Sequence, residues 1–224
     1  MVVMEKEDKK SKKSKIWILI LAIVSLILLS WLLALVTIFL GYRNRDYRNG
    51  KIGFYIGIVS LSLSIIAMIF IKVFLPIISG VSIPLLIQES CSMHHYEEGF
   101  DEILIKSSVY SENSITLETT NNWPFKNGLD RGDFLYITKP SNLEIGDVIL
   151  FKGGSEHHLI GHRLISVGET YSTKGDNYKT NNEQITLEKD IPEENIIGKV
   201  KYRIPYIGKL RLIPWGQGPG KEFC

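Results

Sequence analysis

Ile16–Leu40 reads IWILILAIVSLILLSWLLALVTIFL, 25 residues without a charged side chain. A helix needs roughly 20 apolar residues to cross the hydrocarbon core of a bilayer, so this segment predicts a transmembrane helix. Trp17 and Tyr42 lie near its two ends, where aromatic belts meet the membrane interface. A cleaved signal peptide would have a shorter apolar segment and a small-residue cleavage site, and neither is visible.

A second uncharged run extends from Ile52 to Ile71. Its length predicts another membrane-spanning helix, over about 52–75. Pro76 and Gly80 are helix-breaking residues, and we expect the helix to break near them.

Residues 16–80 are therefore predicted to form a transmembrane hairpin, in which a basic loop at 42–51 joins helices at about 16–40 and 52–75. A basic polar tail, residues 1–15, precedes the hairpin. The tail carries six lysines and the loop carries four Lys/Arg residues. Because the positive-inside bias would place either cluster in the cytoplasm, charge alone leaves the orientation open.

The charges differ between the two parts of the chain. Residues 1–88 hold 11 Lys/Arg and 4 Asp/Glu, whereas the remaining residues hold 15 and 20. A basic, apolar front and an acidic, mixed rear indicate a membrane anchor joined to a water-exposed domain. This composition excludes a disordered chain, a collagen and a disulfide scaffold, and the acidic rear argues against nucleic-acid binding.

The rear domain is placed at residues 81–224. From Glu89 onward it shows short runs of β-branched and aromatic residues separated by turn residues, which predicts about 135 residues of all-β structure. The run Val81–Ile87 alternates imperfectly and fits a strand leaving the membrane. Gly-Asp pairs at Gly132, Gly146 and Gly175 predict turns. No 3.6-residue periodicity is long enough for a major helix. Further strands are predicted over Phe134–Thr138, Val148–Lys152, Leu159–Val167, Ile196–Arg203 and Lys209–Ile213.

Two motifs in the rear domain could carry chemistry. The first is Glu-Ser-Cys-Ser-Met-His at 89–94, and the second is Gly-His-Arg-Leu-Ile at 161–165, followed by Thr-Lys-Gly-Asp-Asn at 173–177. A serine needs a base within hydrogen-bond reach to act as a nucleophile, and histidine can accept its proton at neutral pH. A carboxylate beside the imidazole would fix its tautomer. Residue types alone do not identify such a triad, because triads are recognised by geometry.

In order along the chain, these motifs resemble the boxes of type I signal peptidases. Ser-Cys-Ser-Met at 90–93, directly after an apolar anchor, is similar to the nucleophile box. Gly-His-Arg at 161–163 resembles the base box, and residues 173–177 resemble the acidic box. Gly-Asp-Val-Ile-Leu-Phe at 146–151 looks like the strand that follows the nucleophile. The resemblance covers roughly residues 81–213, and linked boxes are more specific than any one of them.

The resemblance implies an all-β signal-peptidase-like catalytic domain whose site contains Ser92 as nucleophile and His162 as general base. The histidine, where bacterial enzymes have lysine, points to the archaeal and endoplasmic-reticulum branch. The implied protein is a multi-pass protein of the cell membrane with an extracytoplasmic catalytic domain. It cleaves signal peptides from exported preproteins, with small residues at P1 and P3, and needs no cofactor. Its partners are the preproteins and the lipid bilayer, with the protein-export machinery as a further candidate.

The sequence departs from the family pattern in the acidic box. The second aspartate of that box, which serves the histidine, is replaced by Asn182. Asp176, Glu183 and Glu188 are the candidate replacements, and we place Asp176 first. This ranking predicts that Asp176→Ala lowers turnover more than Glu183→Ala or Glu188→Ala does.

The chain also carries an insertion, about 96–131, which could be a flap or a membrane-surface loop. Together with Asn182 it leaves room for an inactive peptidase-like protein that binds precursors, or for a peptidase specialised on a narrow set of them. Arg163, on the opposite strand face from His162, is expected to be structural or a surface charge. A zinc site at His158 and His162 is not expected, because their spacing converges on a helix and not on a strand. We expect free thiols at Cys91 and Cys224, since a bond between them would crosslink the nucleophile's neighbour.

Overall fold

The computed structural model describes residues 31–96, 99–154 and 158–205 of the 224-residue chain. The chain divides into two compact units, Met1–Leu75 and Pro76–Cys224. The predicted tail, the first half of the first apolar segment and the predicted strand Lys209–Ile213 lie outside the described residues.

The first unit is helical. Helix α1 spans Trp31–Arg43 and helix α2 spans Arg48–Ile69, which continues through a π-helical turn, Phe70–Phe74, into the short helix α3, Leu75–Ser79. The continuous run Arg48–Ser79 has 32 residues and a mean hydropathy of 2.5. Within the described ranges it is the one helix long and apolar enough to cross a membrane. The two-helix hairpin therefore stays a prediction.

Helices α1 and α2 approach each other closely because small residues line their contact. A Cβ at Gly57 would lie 2.8 Å from the Ile38 side chain, and one at Gly41 would lie 2.6 Å from the Phe54 backbone nitrogen. Contact through small residues is typical of helices that pack in lipid, where apolar burial between helices offers little driving force. The buried small residues are Ala34, Thr37 and Gly41 of α1 and Gly50, Gly53, Gly57, Ser60 and Ser64 of α2.

The predicted break at Pro76 is wrong, since the helix continues to Ser79. The backbone N–H of Leu75 donates to the carbonyl of Phe70, five residues back, so the turn ahead of the proline is wider than an α-turn. A wide turn relieves the clash between a proline ring and the carbonyl four residues earlier. The helix ends at Gly80, whose φ of +73° is a left-handed conformation that favours glycine.

The second unit contains a six-stranded antiparallel sheet in the order β1-β2-β6-β3-β4-β5. Strands β3 and β4 form a hairpin, and β6 crosses over to pair with both β2 and β3. The strands are β1 Leu85–Ile87, β2 Phe134–Thr138, β3 Val148–Gly153, β4 His158–Val167, β5 Tyr171–Lys174 and β6 Ile196–Ile204.

Four predicted strands are found within one residue of their predicted bounds, and the strand expected in 81–87 is shorter. Strand β5 was not predicted, because Thr173 and Lys174 were considered only as part of the acidic box. The insertion holds two short helices, α4 Phe100–Lys106 and α5 Ser108–Glu112. The unit is therefore mainly β rather than all-β. Short 3-10 turns, Thr186–Glu188 and Glu193–Asn195, complete it.

Buried apolar residues form three clusters around the sheet. One lies under β2, β3 and β6 and includes Met93, the residue after the predicted nucleophile. Another joins the insertion to Ile165 of β4, and the third lies between β3, β4 and the segment 191–196. Burial of Met93 fixes the position of the loop that precedes it. The insertion's cluster consists of Phe100, Ile103, Val109, Tyr110, Ile115 and Ile165.

Two of the three Gly-Asp pairs form the expected turns. Gly132 and Gly146 have φ of +91° and +102°, and the carboxylates of Asp133 and Asp147 each accept a backbone N–H from three residues earlier, at 2.9 Å. Gly175-Asp176 behaves differently, because it follows β5 directly and the Asp176 side chain is buried in the protein. Turn chemistry therefore does not explain Asp176.

Candidate active site

The predicted nucleophile, Ser92, lies in the loop that follows β1, where its side chain is half-buried. Its Oγ is 3.1 Å from the Oγ of Ser90. The side-chain amide of Gln88 donates to the Ser90 Oγ, also at 3.1 Å. Because Gln88 supplies that donor, the Ser90 hydroxyl is free to donate its own proton toward Ser92 or toward a bound group.

The predicted base, His162, is buried on strand β4. Its Nδ1 lies 2.5 Å from the Oε1 of Glu188, although the ring N–H does not point straight at that oxygen. A carboxylate on Nδ1 favours the tautomer that keeps the proton there, which leaves Nε2 as the basic nitrogen. The pair has the arrangement of a general base with an orienting acid.

Glu188 is rigidly held at the end of a 3-10 turn. Its Oε1 accepts the backbone N–H of Gly175 at 2.9 Å, and its Oε2 accepts that of Ile185 at 2.8 Å. Burial raises the pKa of this carboxyl, but His162 and the two backbone amides outweigh that effect and hold the pKa below its ordinary value. Glu188 is therefore ionised at neutral pH.

The backbone of Ser92 and the ring of His162 both approach Gly175. A Cβ built on Gly175 would lie 2.9 Å from the Ser92 carbonyl oxygen and 3.2 Å from the His162 Nε2. Two residues further on, the backbone N–H of Asn177 donates to the same Ser92 carbonyl at 2.9 Å. The Asn177 side chain donates to the Cys91 carbonyl at 2.7 Å. The acidic box thus holds the nucleophile's backbone, and a glycine is needed where the two groups come together.

Asp176, the acid placed first from the sequence, is not at His162. Its carboxylate is fully buried and forms its contacts with Arg163, His95 and Tyr110. Glu183 is exposed on the surface. Of the three candidate acids, Glu188 is therefore the one that contacts the imidazole, and Asn182 contributes only its backbone carbonyl, to Ser107.

Arg163 has the structural position expected for it, on the strand face opposite His162. Its guanidinium is completely buried and donates to the Asp176 carboxylate and to three backbone carbonyls.

Lys174 is also buried. Its ammonium donates to the carbonyls of Gly175, at 2.7 Å, and Asn181. Burial lowers the pKa of Lys174 to about 8, although Glu188 and Asp176 oppose the shift.

A cavity of about 660 Å³ opens beside Ser92 and His162. Two strand edges border it. Strand β1 pairs with β2 alone, and residues 159–162 of β4 pair with β3 alone, so in the part of the chain that the structure describes each has an edge without a strand partner. The cavity is therefore shaped to accept an extended backbone. Its lining includes Leu86, Gln88, Ser90, Ile160, Gly161 and Ile185.

The cysteines and histidines raise two further points of chemistry. Cys91 is disulfide-bonded, which corrects the expected free thiol, and such a bond fits an oxidising compartment. Cys224 lies outside the described residues.

His158 and His162 both line the cavity. Over residues 31–96, 99–154 and 158–205, no three His, Cys, Asp or Glu side chains come together as a metal site would need.

Two residues of the site region, His95 and Tyr110, were missed from the sequence. Both contact Asp176, from positions 81 and 66 residues away along the chain. No local pattern marks them. The one available signal was that His94-His95 follows the nucleophile box without a gap.

Ser92 and His162 thus line one cavity of a mainly β unit, and Glu188, which does not line that cavity, contacts the His162 ring. No protein-family model matches the chain. It is 27% identical over 93 residues to the protein named Signal peptidase complex catalytic subunit SEC11C of Homo sapiens, and equally to those of Mus musculus and Canis lupus familiaris.

Each of these matches covers 37% of this chain and 48% of the relative. The chain thus spans about half the length of the curated relatives it matches. A similarity of this extent supports a relation to signal peptidases in general, without specifying the branch.

Proposed function

We propose that the chain is a membrane-bound serine endopeptidase of the Ser-His branch that removes signal peptides from exported preproteins. Ser92 is the nucleophile, His162 the general base, and Glu188, rather than Asp176, the acid that orients His162. The observation that carries this proposal is the shared cavity of Ser92 and His162, with Glu188 2.5 Å from the far ring nitrogen of His162.

The reaction follows from these positions. The Ser92 Oγ attacks the scissile carbonyl carbon while the His162 Nε2 takes its proton, and His162 then gives that proton to the leaving amine. Water hydrolyses the resulting ester by the same route in reverse. A positioned general base contributes on the order of 10²–10⁴ in rate.

The oxyanion of each tetrahedral intermediate needs donors close to Ser92. We assign this role to backbone amides near Ser92, assisted by the Ser90 hydroxyl, which lies 3.1 Å from the Ser92 Oγ. Removing one such donor costs about 3–4 kcal/mol of transition-state stabilisation.

The substrate would bind as an extended strand between β1 and residues 159–162 of β4. Both edges there can exchange backbone hydrogen bonds with an added strand, which provides affinity that does not depend on the substrate's sequence. The apolar lining from Leu86 and Ile160 suits uncharged side chains. Signal-peptide cleavage regions, with small residues at P1 and P3, meet both requirements.

Attachment to a membrane fits this substrate class. The apolar helix Arg48–Ser79 is long enough to span a bilayer, and the nucleophile follows its end by 13 residues. An extracytoplasmic catalytic domain, a second spanning helix and contact with the export machinery belong to the same proposal.

The test is cleavage of a purified preprotein by the full chain reconstituted in lipid vesicles, with the new N-terminus identified by mass spectrometry. The wild type should cut once, after the signal peptide, and Ser92→Ala should not cut. Ser90→Ala is the matched control, because it removes a neighbouring hydroxyl and should slow the reaction without abolishing it. Equal cleavage by wild type and Ser92→Ala, or none by either, would contradict the proposal and leave a binding protein.

A further inference from the structure

A second histidine–carboxylate pair lies close to the first. The Nε2 of His95, three residues after Ser92, donates to the Asp176 Oδ2 at 3.0 Å. The two side chains are 3% and 0% exposed, and neither residue lines the cavity. This pair is therefore closed to substrate, and its role must be exerted through other residues.

Asp176 is the centre of a buried ionic network. Arg163 donates to its two carboxylate oxygens at 2.9 and 2.7 Å, and the Tyr110 hydroxyl donates to it at 3.3 Å. Burial raises the pKa of Asp176, but Arg163 and His95 hold that pKa well below its ordinary value. The carboxylate is thus ionised in the interior and requires all of these donors.

The insertion surrounds this network. Arg163 also donates to the carbonyls of Pro124 and Phe125, at 2.8 and 3.0 Å, and its guanidinium lies 5.2 and 5.4 Å from the rings of Phe100 and Trp123. All four of these residues belong to the insertion. It is therefore folded around Arg163 and is not a free flap.

His95 connects the insertion to the nucleophile loop. Its ring stacks on Phe100 with a centroid distance of 5.5 Å and an angle of 22°. Its Nδ1 is buried and has no hydrogen-bond partner among the described residues. A proton on Nδ1 would therefore be buried without an acceptor, so the geometry favours a proton on Nε2, facing Asp176.

The same network continues to the nucleophile. Asp176 lies between Gly175, which packs against Ser92 and His162, and Asn177, which donates to the carbonyls of Ser92 and Cys91. Any shift of Asp176 must move these two neighbours, and with them the backbone of Ser92.

We propose that His95, Tyr110, Arg163 and Asp176 form a brace through which the insertion holds Ser92 in position for attack, with His95 as the positioning residue. This inference rests on the proposed function. Its physical basis is that misplacing a reacting group by about 1 Å can cost roughly 10²-fold in rate.

The experiment compares His95→Phe, His95→Gln and Tyr110→Phe with the wild type in the full chain. Phenylalanine keeps the ring but removes the N–H that reaches Asp176, whereas glutamine can place an amide N–H near the position of Nε2. We expect His95→Phe to lower kcat about 10-fold or more, with KM within about 2-fold of the wild type. Tyr110→Phe should lower kcat less. His95→Gln should retain most of the kcat that His95→Phe loses. Ile105→Ala is the matched control, because Ile105 lies in the same insertion and is 85% exposed.

Hydrogen exchange at the Asn177 amide provides a readout that does not need catalysis. The brace predicts faster exchange in His95→Phe and Tyr110→Phe, and wild-type exchange in His95→Gln and Ile105→Ala.

Unchanged kcat and unchanged exchange in both His95→Phe and Tyr110→Phe would overturn the inference. If His95→Phe does not fold, Tyr110→Phe decides by the same two measurements. If the wild type cleaves no preprotein, the peptidase proposal fails, while the exchange rates still decide whether the brace exists.

Discussion

Two histidine–carboxylate pairs in one unit, His162–Glu188 and His95–Asp176, differ in what surrounds them. The first lies beside a cavity and next to a serine, and the second is enclosed by an arginine, a tyrosine and the insertion. Both pairs join an imidazole nitrogen to a carboxylate, through Nδ1 in His162 and through Nε2 in His95. The comparison teaches that access and a neighbouring nucleophile, rather than a short His–carboxylate distance, distinguish a catalytic pair from a structural one.

The carboxylates themselves show the same contrast. Glu188 accepts two backbone N–H groups and contacts the Nδ1 of His162, so that the Nε2 of that ring stays available on the cavity side. The carboxylate oxygens of Asp176, in contrast, accept hydrogen bonds from Arg163 and His95. A buried carboxylate that pairs with a buried arginine cannot easily be spared, because the arginine would then be left unpaired. Loss of Glu188 and loss of Asp176 should therefore have different consequences.

The largest effect is expected from Glu188→Gln, which should lower kcat about 10²–10⁴-fold with KM little changed, because an uncharged partner neither fixes the His162 tautomer nor stabilises the imidazolium. The measurement is steady-state preprotein cleavage. Glu183→Gln, an exposed neighbour, is the control and should behave as wild type. This result would reverse the ranking of acids expected from the sequence, and a larger kcat loss in Asp176→Asn at unchanged stability would restore it.

Asp176→Asn should act mainly on stability. It leaves the buried Arg163 without its counter-charge, and the free energy of unfolding should fall by about 3–5 kcal/mol. Denaturant titration in detergent checks this value. Asp130→Asn, which removes a partly exposed carboxylate 2.6 Å from His94, should cost under about 1 kcal/mol. If the two variants are equally stable, the enclosed pair is not the structural one.

Gly175→Ala probes the glycine that the Ser92 backbone and the His162 ring both approach. Its Cβ would lie 2.9 Å from the Ser92 carbonyl and 3.2 Å from the His162 Nε2, so one of them must shift, and kcat should fall by about 10²-fold. The control is Gly168→Ala, where the nearest atom to the added Cβ is 3.7 Å away. Wild-type turnover by Gly175→Ala would show that the site tolerates a looser arrangement.

The smallest effect concerns pH. The folded-state pKa of Glu188 lies below the ordinary value of 4.5, so Glu188 contributes stability that is present above that value and is lost as the pH falls through the folded-state pKa. The stability difference between wild type and Glu188→Gln should be largest near neutral pH and should shrink in acid. Thermal unfolding between pH 3 and 7 measures this, and a difference that grows on acidification would contradict the assignment.

Local patterns were sufficient for much of the fold. The bounds of β2, β3, β4 and β6 could be predicted because alternation and turn residues are local signals. The sequence also brought Ser92 and His162 forward as candidates. The helix through Pro76 could not be predicted, since a π-helical turn depends on hydrogen bonds that no spacing of residues announces.

Glu188 was among the three acids expected from the sequence as partners of His162, but the sequence could not rank it first. Glu188 reaches the imidazole from 26 residues away because the segment after β5 folds back and presents it through the amides of Gly175 and Ile185. The brace has the same origin, since Tyr110 and His95 meet Asp176 only after the insertion has packed on β4. Contacts of this kind depend on tertiary closure, and short helices such as α4 and α5 give no periodic signal.

The most direct test of the cavity-facing pair is a double-mutant cycle on preprotein cleavage with His162→Ala, Glu188→Gln and the combination. If Glu188 acts through His162, the combined variant should be no slower than His162→Ala alone, because the acid has nothing left to orient. A combined loss equal to the product of the two single losses would show that the residues act independently, and the proposed site would be wrong.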